Sequence, residues 1–186
     1  FRALLKNPKS DVTVLLITFF LTVIFDLTVA IEVGLVIACV LFMKRVMETT
    51  EISVITDEID PNKESDIAVH EENLMIPKGI EVYEINGPYF FGIATKFEET
   101  MTQLGDRPKV RIIRMRKVPF IDSTGIHNLT ALCEMSQKEK TTIILSGVNK
   151  NVHNVLEKAG FYELLGKENI CPNINVALER AKSLVE

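Results

Sequence analysis

From residue 12 to residue 43 the chain is apolar almost without a break, interrupted by threonines and by two charges, Asp26 and Glu32. As one helix this stretch would be roughly 48 Å long at about 1.5 Å per residue. That exceeds the ~30 Å hydrocarbon core of a bilayer. Divided at Asp26 into 12–25 and 27–43, each piece falls short of the usual span of ~20 residues. The pattern predicts two short helices meeting at Asp26, whose carboxylate caps the second by accepting from its free N–H groups. Glu32 falls inside the second helix. A carboxylate facing lipid is costly, so Glu32 is expected to face protein or water. Arg2, Lys6 and Lys9 precede the first piece, and Lys44 and Arg45 follow the second. Such flanks suit a membrane hairpin with both ends cytoplasmic. The competing reading is a long helix buried in a large soluble protein.

Residues 51–72 carry eight acidic residues in twenty-two, with Pro61, Asn62 and Ser65 among them. They read as a solvated tether or insertion, with an edge strand in part of 52–56. From Pro77 the pattern becomes regular. Residues 80–85 predict a strand, Asn86-Gly87-Pro88 a turn and 89–93 a second strand, so that the pair reads as a hairpin. Ala94, Phe97, Met101 and Leu104 share one helical face, stopped by Gly105 and Pro108. Residues 110–115 form a third strand and 142–146 a fourth. Between them 123–138 is helical, with Ile126, Leu129, Leu132, Cys133 and Met135 on the apolar side. Val152, Val155, Leu156 and Ala159 mark a further helix closed by Gly160. Ile174, Ala177, Leu178, Ala181 and Leu184 mark the last one. Strands alternating with helices predict an α/β sandwich with βαβ units.

Composition narrows the function classes. The chain has 186 residues and a formal net charge of -4. No basic cluster is dense enough for phosphate contacts, so no nucleic-acid partner is expected. Cys39, Cys133 and Cys171 are widely separated, and His70, His127 and His153 lack ligand spacing. No metal, cofactor or catalytic residue is expected, and a reducing interior is the simplest compartment. The chain begins at Phe1 and reads as a piece of a longer protein.

The segment Phe120-Ile121-Asp122-Ser123-Thr124-Gly125-Ile126 lies where a buried strand hands over to an amphipathic helix. The first N–H groups of a helix lack intrahelical partners, and Asp122 or Ser123 can accept from them. The helix dipole favours a carboxylate or phosphate there. Gly125 would allow another backbone to come close. A phosphate on Ser123 would add nearly two negative charges beside Asp122. Asp122, Ser123, Thr124 and Gly125 are therefore the candidate regulatory loop, with Ser123 the candidate phosphoacceptor. The plain alternative is a helix cap and nothing more. His127 lies on the same helix as Ser123 with no orienting carboxylate in sequence, and reads as a surface or packing residue.

At these residues the chain resembles STAS domains, whose fold is that of bacterial anti-sigma-factor antagonists. The serine after the aspartate is the phosphoacceptor of those antagonists, although many transporter members have alanine there. The runs GIEVYEINGPYFFG (79–92), VRIIRMRKVP (110–119), TIILSGV (142–148) and VLEKAG (155–160) resemble the STAS domains of SulP (SLC26-type) anion transporters. SDVTV (10–14) and FDLTVAIEVG (25–34) resemble the last two membrane helices of that family. The resemblance implies a STAS-type sheet with helices packed on it, preceded by a membrane helical hairpin. Its boundaries are transmembrane helices at 1–47, an acidic linker at 48–77 and a cytoplasmic STAS domain at 78–186. It implies the C-terminal part of a secondary-active, sulfate-type transporter, multi-pass in the inner (plasma) membrane, with no enzyme activity. Asp26 and Glu32 become its membrane-embedded acidic residues, and the substrate-binding helices lie upstream. Expected partners are the rest of the membrane domain, the bilayer, a second copy of the chain, and a cytoplasmic regulatory protein at the loop. The alternative is a stand-alone regulatory module switched by serine phosphorylation, which has no use for residues 12–43.

Overall fold

A computed structural model describes residues 9–55, 58–59, 74–90, 97 and 108–185. The chain divides into two compact units, residues 1–49 and 50–186.

In the first unit, helix α1 (Lys9–Ile24) is followed by helix α2 (Leu27–Thr49). The break falls where the apolar pattern placed it. Asp26 Oδ1 accepts from the Val29 N–H at 2.9 Å, which caps α2. The helices meet at small residues: Ala30 is buried, and a Cβ on Gly34 would lie 3.0 Å from Thr18 Cγ2. Close approach over small side chains is how apolar helices gain packing energy where no hydrophobic effect drives them together. Away from this seam Phe19, Phe20, Ile31, Leu35, Val36 and Phe42 are exposed. Glu32 is exposed on α2.

The second unit is built on a five-stranded sheet in the order β1-β4-β5-β6-β7. Its strands are β1 (Glu51–Ile55), β4 (Ile80–Asn86), β5 (Val110–Lys117), β6 (Thr142–Ser146) and β7 (Ile170–Cys171). Strand β1 is antiparallel to β4, and β4, β5, β6 and β7 run parallel. A separate two-stranded pair joins β2 (Glu58–Ile59) to β3 (Leu74–Met75). Helices α3 (Ser123–Lys138), α4 (Lys150–Lys158), α5 (Phe161–Leu165) and α6 (Ile174–Val185) complete the unit. A 3-10 turn, Lys167–Asn169, follows α5.

Central parallel strands are covered on both faces and so read as nearly continuous apolar runs. On one face Tyr83, Ile85, Ile113, Met115, Ile143 and Leu145 pack with Leu129, Leu132 and Cys133 of α3. Val152, Leu156, Phe161 and Leu165 of α4 and α5 join them. On the other, Val82, Val110, Ile112 and Ile144 pack with Ile174, Ala177, Leu178 and Ala181 of α6.

Two differences from the sequence reading concern β4. Its antiparallel partner is β1, so residues 51–55 belong to the sheet and are not tether. Residues 89–93 do not return alongside β4 as a hairpin. Tyr89 instead makes an isolated parallel bridge to Ile121. Its N–H donates to Phe120 O at 3.0 Å, and its carbonyl accepts from the Asp122 N–H at 3.4 Å. With β1 on the free edge of β4, the Tyr89 backbone satisfies itself on the β5–α3 connection. The expected helix over 94–104 lies outside the described residues, apart from Phe97. Phe97 is buried, with its ring 5.1 Å from that of Tyr83.

Candidate functional site

Strand β5 ends at Lys117, and the chain crosses Val118, Pro119, Phe120 and Ile121 before α3 begins at Ser123. Val118 and Ile121 are buried, whereas Phe120 is half exposed at 52%. Asp122 is the N-cap of α3, with extended backbone angles (φ -95, ψ 176). Its Oδ1 accepts from the Gly125 N–H at 2.6 Å, and its carbonyl accepts from the Ile126 N–H at 3.0 Å. The N–H groups of Ser123 and Thr124 are left without intrahelical acceptors, as the geometry of a helix start requires. Both side chains are exposed.

Gly125 is needed for space. A Cβ there would lie 2.4 Å from the Tyr89 carbonyl oxygen and 2.9 Å from Ile121 Cγ1. The first turn of α3 is thus seated on the Tyr89 backbone, which is itself pinned to the loop. The four residues Asp122, Ser123, Thr124 and Gly125 form one structure: a cap, two exposed hydroxyls, and a contact that fixes their height above the sheet.

Asn149 completes this end of the unit, and the sequence reading missed it. Its Nδ2 donates to Val118 O at 2.5 Å, and its Oδ1 accepts from the Val152 N–H at 3.0 Å. One side chain therefore caps α4 and ties it to the loop preceding α3. The sequence signal was an asparagine just ahead of an amphipathic helix.

A second group missed from sequence is charged and buried. Glu84 and Arg114 are in register on neighbouring strands, with Arg114 Nη1 3.5 Å from Glu84 Oε1. Lys117 Nζ lies 3.5 Å from Glu84 Oε2. Glu81 and Arg111 repeat the pairing at 3.4 Å. Tyr83 Oη donates to Glu81 at 2.8 Å. Burial, then the hydrogen bond and charge of Glu81, push the Tyr83 phenol well above its ordinary range, with Arg111 opposing. Burial chiefly, with Glu134 adding to it, pushes the Cys133 thiol up to about 12. Cys171 is shifted upward mainly by burial as well. Such thiols stay protonated and chemically quiet.

His127 is exposed on α3, and His153 packs its ring 5.1 Å from that of Tyr162. Among the described residues no cluster of three or more His, Cys, Asp or Glu side chains is placed to hold a metal ion. Among them, too, no side chain hydrogen-bonds Ser123 Oγ. The loop can carry charge and present hydroxyls. A nucleophile–base pair of the kind used in acyl or phosphoryl transfer is not assembled among these residues.

A mixed sheet with helices on both faces, bearing an Asp-Ser-Thr-Gly cap at the end of its central strand, is the architecture of a STAS domain. Residues 73–177 match the STAS domain family, and the chain belongs to it. Its homologues are sulfate transporters. It is 28% identical over 167 residues to YvdB of Bacillus subtilis, assigned by name to sulfate transport. That match covers 89% of this chain and 29% of YvdB. A sulfate transporter family protein from Wolinella succinogenes is 41% identical, with a TM-score of 0.59. It covers 68% of this chain and 98% of the solved one. The murine Slc26a9 anion transporter in its inward-facing state superposes over 98% of this chain and 30% of its own, with a TM-score of 0.72. At 19% identity that likeness is one of fold. The chain spans less than a third of the length of the curated relatives it matches, 29% and 28%.

Proposed function

We propose that this chain is the C-terminal part of a secondary-active anion transporter of the sulfate type, with the STAS domain regulating or assembling it. The observation that carries the reading is an apolar two-helix unit joined directly to a STAS domain. Helix α2 offers twenty residues, Leu27–Val46, at a mean hydropathy of 2.2, enough to cross a bilayer. The apolar stretch of α1, Val12–Ile24, is shorter. The many exposed Phe, Leu, Ile and Val side chains on both helices need lipid or further helices around them. In this reading Asp26 and Glu32 face the remainder of the membrane domain and not the acyl chains. Lys44 and Arg45 stand at the cytoplasmic end of α2, and the STAS domain lies in the cytoplasm. The same exposed helices count against a stand-alone regulatory module.

Regulation is assigned to the loop. The exposed Ser123 hydroxyl, two free N–H groups and the half-exposed Phe120 form a surface whose charge changes on phosphorylation. A cytoplasmic protein, the membrane domain or a second copy of the chain would read that change. The test compares labelled-sulfate uptake by the full-length protein carrying Ser123→Ala or Ser123→Glu. At least a twofold difference between the two is expected. Equal uptake and equal partner binding would remove the regulatory role of Ser123.

A further inference from the structure

Helix α3 ends in a way that its sequence does not favour. The Lys140 N–H donates to Gln137 O and the Thr141 N–H to Ser136 O, both at the close of the helix. This is the paired hydrogen-bond pattern of a Schellman C-cap. It requires a left-handed residue, which is usually glycine because a Cβ is strained there. Among the described residues Lys140 is the only non-glycine with positive φ, at 62°. The fold holds a lysine where glycine would be more stable. Strain of this kind persists where the side chain has a use.

Beside Lys140 lies a cavity of about 280 Å³, at the small end of the range that holds ligands. It sits at the N-terminal end of β6, whereas Asp122 follows the C-terminal end of the parallel neighbour β5. The two sites are therefore at opposite ends of the sheet. Cys133, Ile143 and Leu165 provide the cavity with apolar wall. Gln137, Thr142 and Asn169 provide neutral hydrogen-bonding groups. The Asn169 amide is already fixed, donating to Leu165 O at 2.7 Å and accepting from Arg180 Nε at 3.2 Å. A guanidinium thus stands one hydrogen bond behind the wall. Lys140 is the charged residue of the lining, and no carboxylate shares it. Among the described residues no ion pair or hydrogen bond occupies the Lys140 ammonium.

We infer that this cavity binds a small organic anion, its carboxylate taken by Lys140 and its apolar body lodged against Cys133, Ile143 and Leu165. The charge balance selects an anion. The apolar wall selects one with a hydrocarbon body over a bare inorganic ion. The neutral amides and Thr142 supply the remaining hydrogen bonds.

The experiment uses the whole chain in detergent, with ¹⁵N labelling and titration of three probes: sodium benzoate, neutral benzamide and sodium sulfate. Benzoate is expected to give saturable shifts at the amides of Lys140, Thr142, Ile143 and Asn169. Benzamide and sulfate are expected to bind at least tenfold more weakly. Lys140→Gly should weaken benzoate at least tenfold while raising the melting temperature, because it relieves the left-handed strain. Lys140→Arg should keep binding within a few-fold. Loss of binding together with a higher melting temperature separates a ligand role from a structural one. Three results overturn the inference: no saturable shift with benzoate, equal binding of benzamide or sulfate, or unchanged benzoate affinity in Lys140→Gly.

Discussion

Replacing Gly125 with alanine tests how the candidate loop is held. The new methyl would lie 2.4 Å from the Tyr89 carbonyl oxygen, 2.9 Å from Ile121 Cγ1 and 3.0 Å from Tyr89 Cδ1. The carbonyl is about 0.6 Å too close if 3.0 Å is taken as the shortest tolerable approach. Tyr89 cannot easily retreat. Its N–H and C=O are both bonded to the loop, and its side chain is 1% exposed. Overpacking of this kind costs about 1–3 kcal/mol, and a backbone obstacle belongs at the upper end. Alanine's better helix propensity returns up to about 1 kcal/mol. The net expectation is a destabilisation of about 2 kcal/mol, or roughly 4–10 °C in melting temperature for a unit of this size. Thermal unfolding followed by circular dichroism reads it directly. An alanine variant as stable as the parent, or more so, would show that α3 is not seated on Tyr89.

Three further outcomes follow from the same geometry. Asp122→Ala removes the side-chain acceptor of the Gly125 N–H and should cost about 0.5–2 kcal/mol in denaturant unfolding; no loss would mean that the cap is idle. Arg114→Met leaves Glu84 buried with only Lys117 beside it and should cost about 3 kcal/mol, while the double variant Arg114→Met, Glu84→Gln should recover much of that; a double variant worse than the single one contradicts the pairing. Cys133 has its folded pKa raised from 9.0 to about 12, so the folded state holds its proton more tightly than the unfolded one. The stabilisation is complete below pH 9 and declines as pH rises toward 12, with a slope of up to about 1.4 kcal/mol per pH unit. Tyr83 and Cys171 act in the same direction. Melting temperatures measured across this range should fall less steeply in Cys133→Val, and an identical slope would count against it.

Periodicity made much of the fold legible. The helical face of Leu129, Leu132 and Cys133 marked α3, and the apolar runs at 110–115 and 142–146 marked β5 and β6. Asp26 was readable as a cap because a lone carboxylate inside an apolar run has few other uses. What escaped depended on contacts distant in sequence. Strand β1 was obscured because its Glu-Ile-Ser-Val-Ile alternation opens an acidic run that reads as tether. Gly125 signalled a close approach without naming the group, which is the Tyr89 carbonyl. The buried charges looked like solvated faces until the parallel register paired Glu81 with Arg111 and Glu84 with Arg114. Lys140 gave no signal at all, since a lysine at a helix end reads as ordinary dipole compensation.

The central claim is that this STAS domain belongs to a machine that moves a sulfate-type anion across a membrane. Its most direct test is uptake of labelled sulfate into proteoliposomes containing the full-length protein. The account predicts saturable uptake above that of protein-free vesicles, competed by unlabelled sulfate and lost when residues 9–49 are deleted. Folded, membrane-inserted protein that takes up no inorganic anion would contradict it.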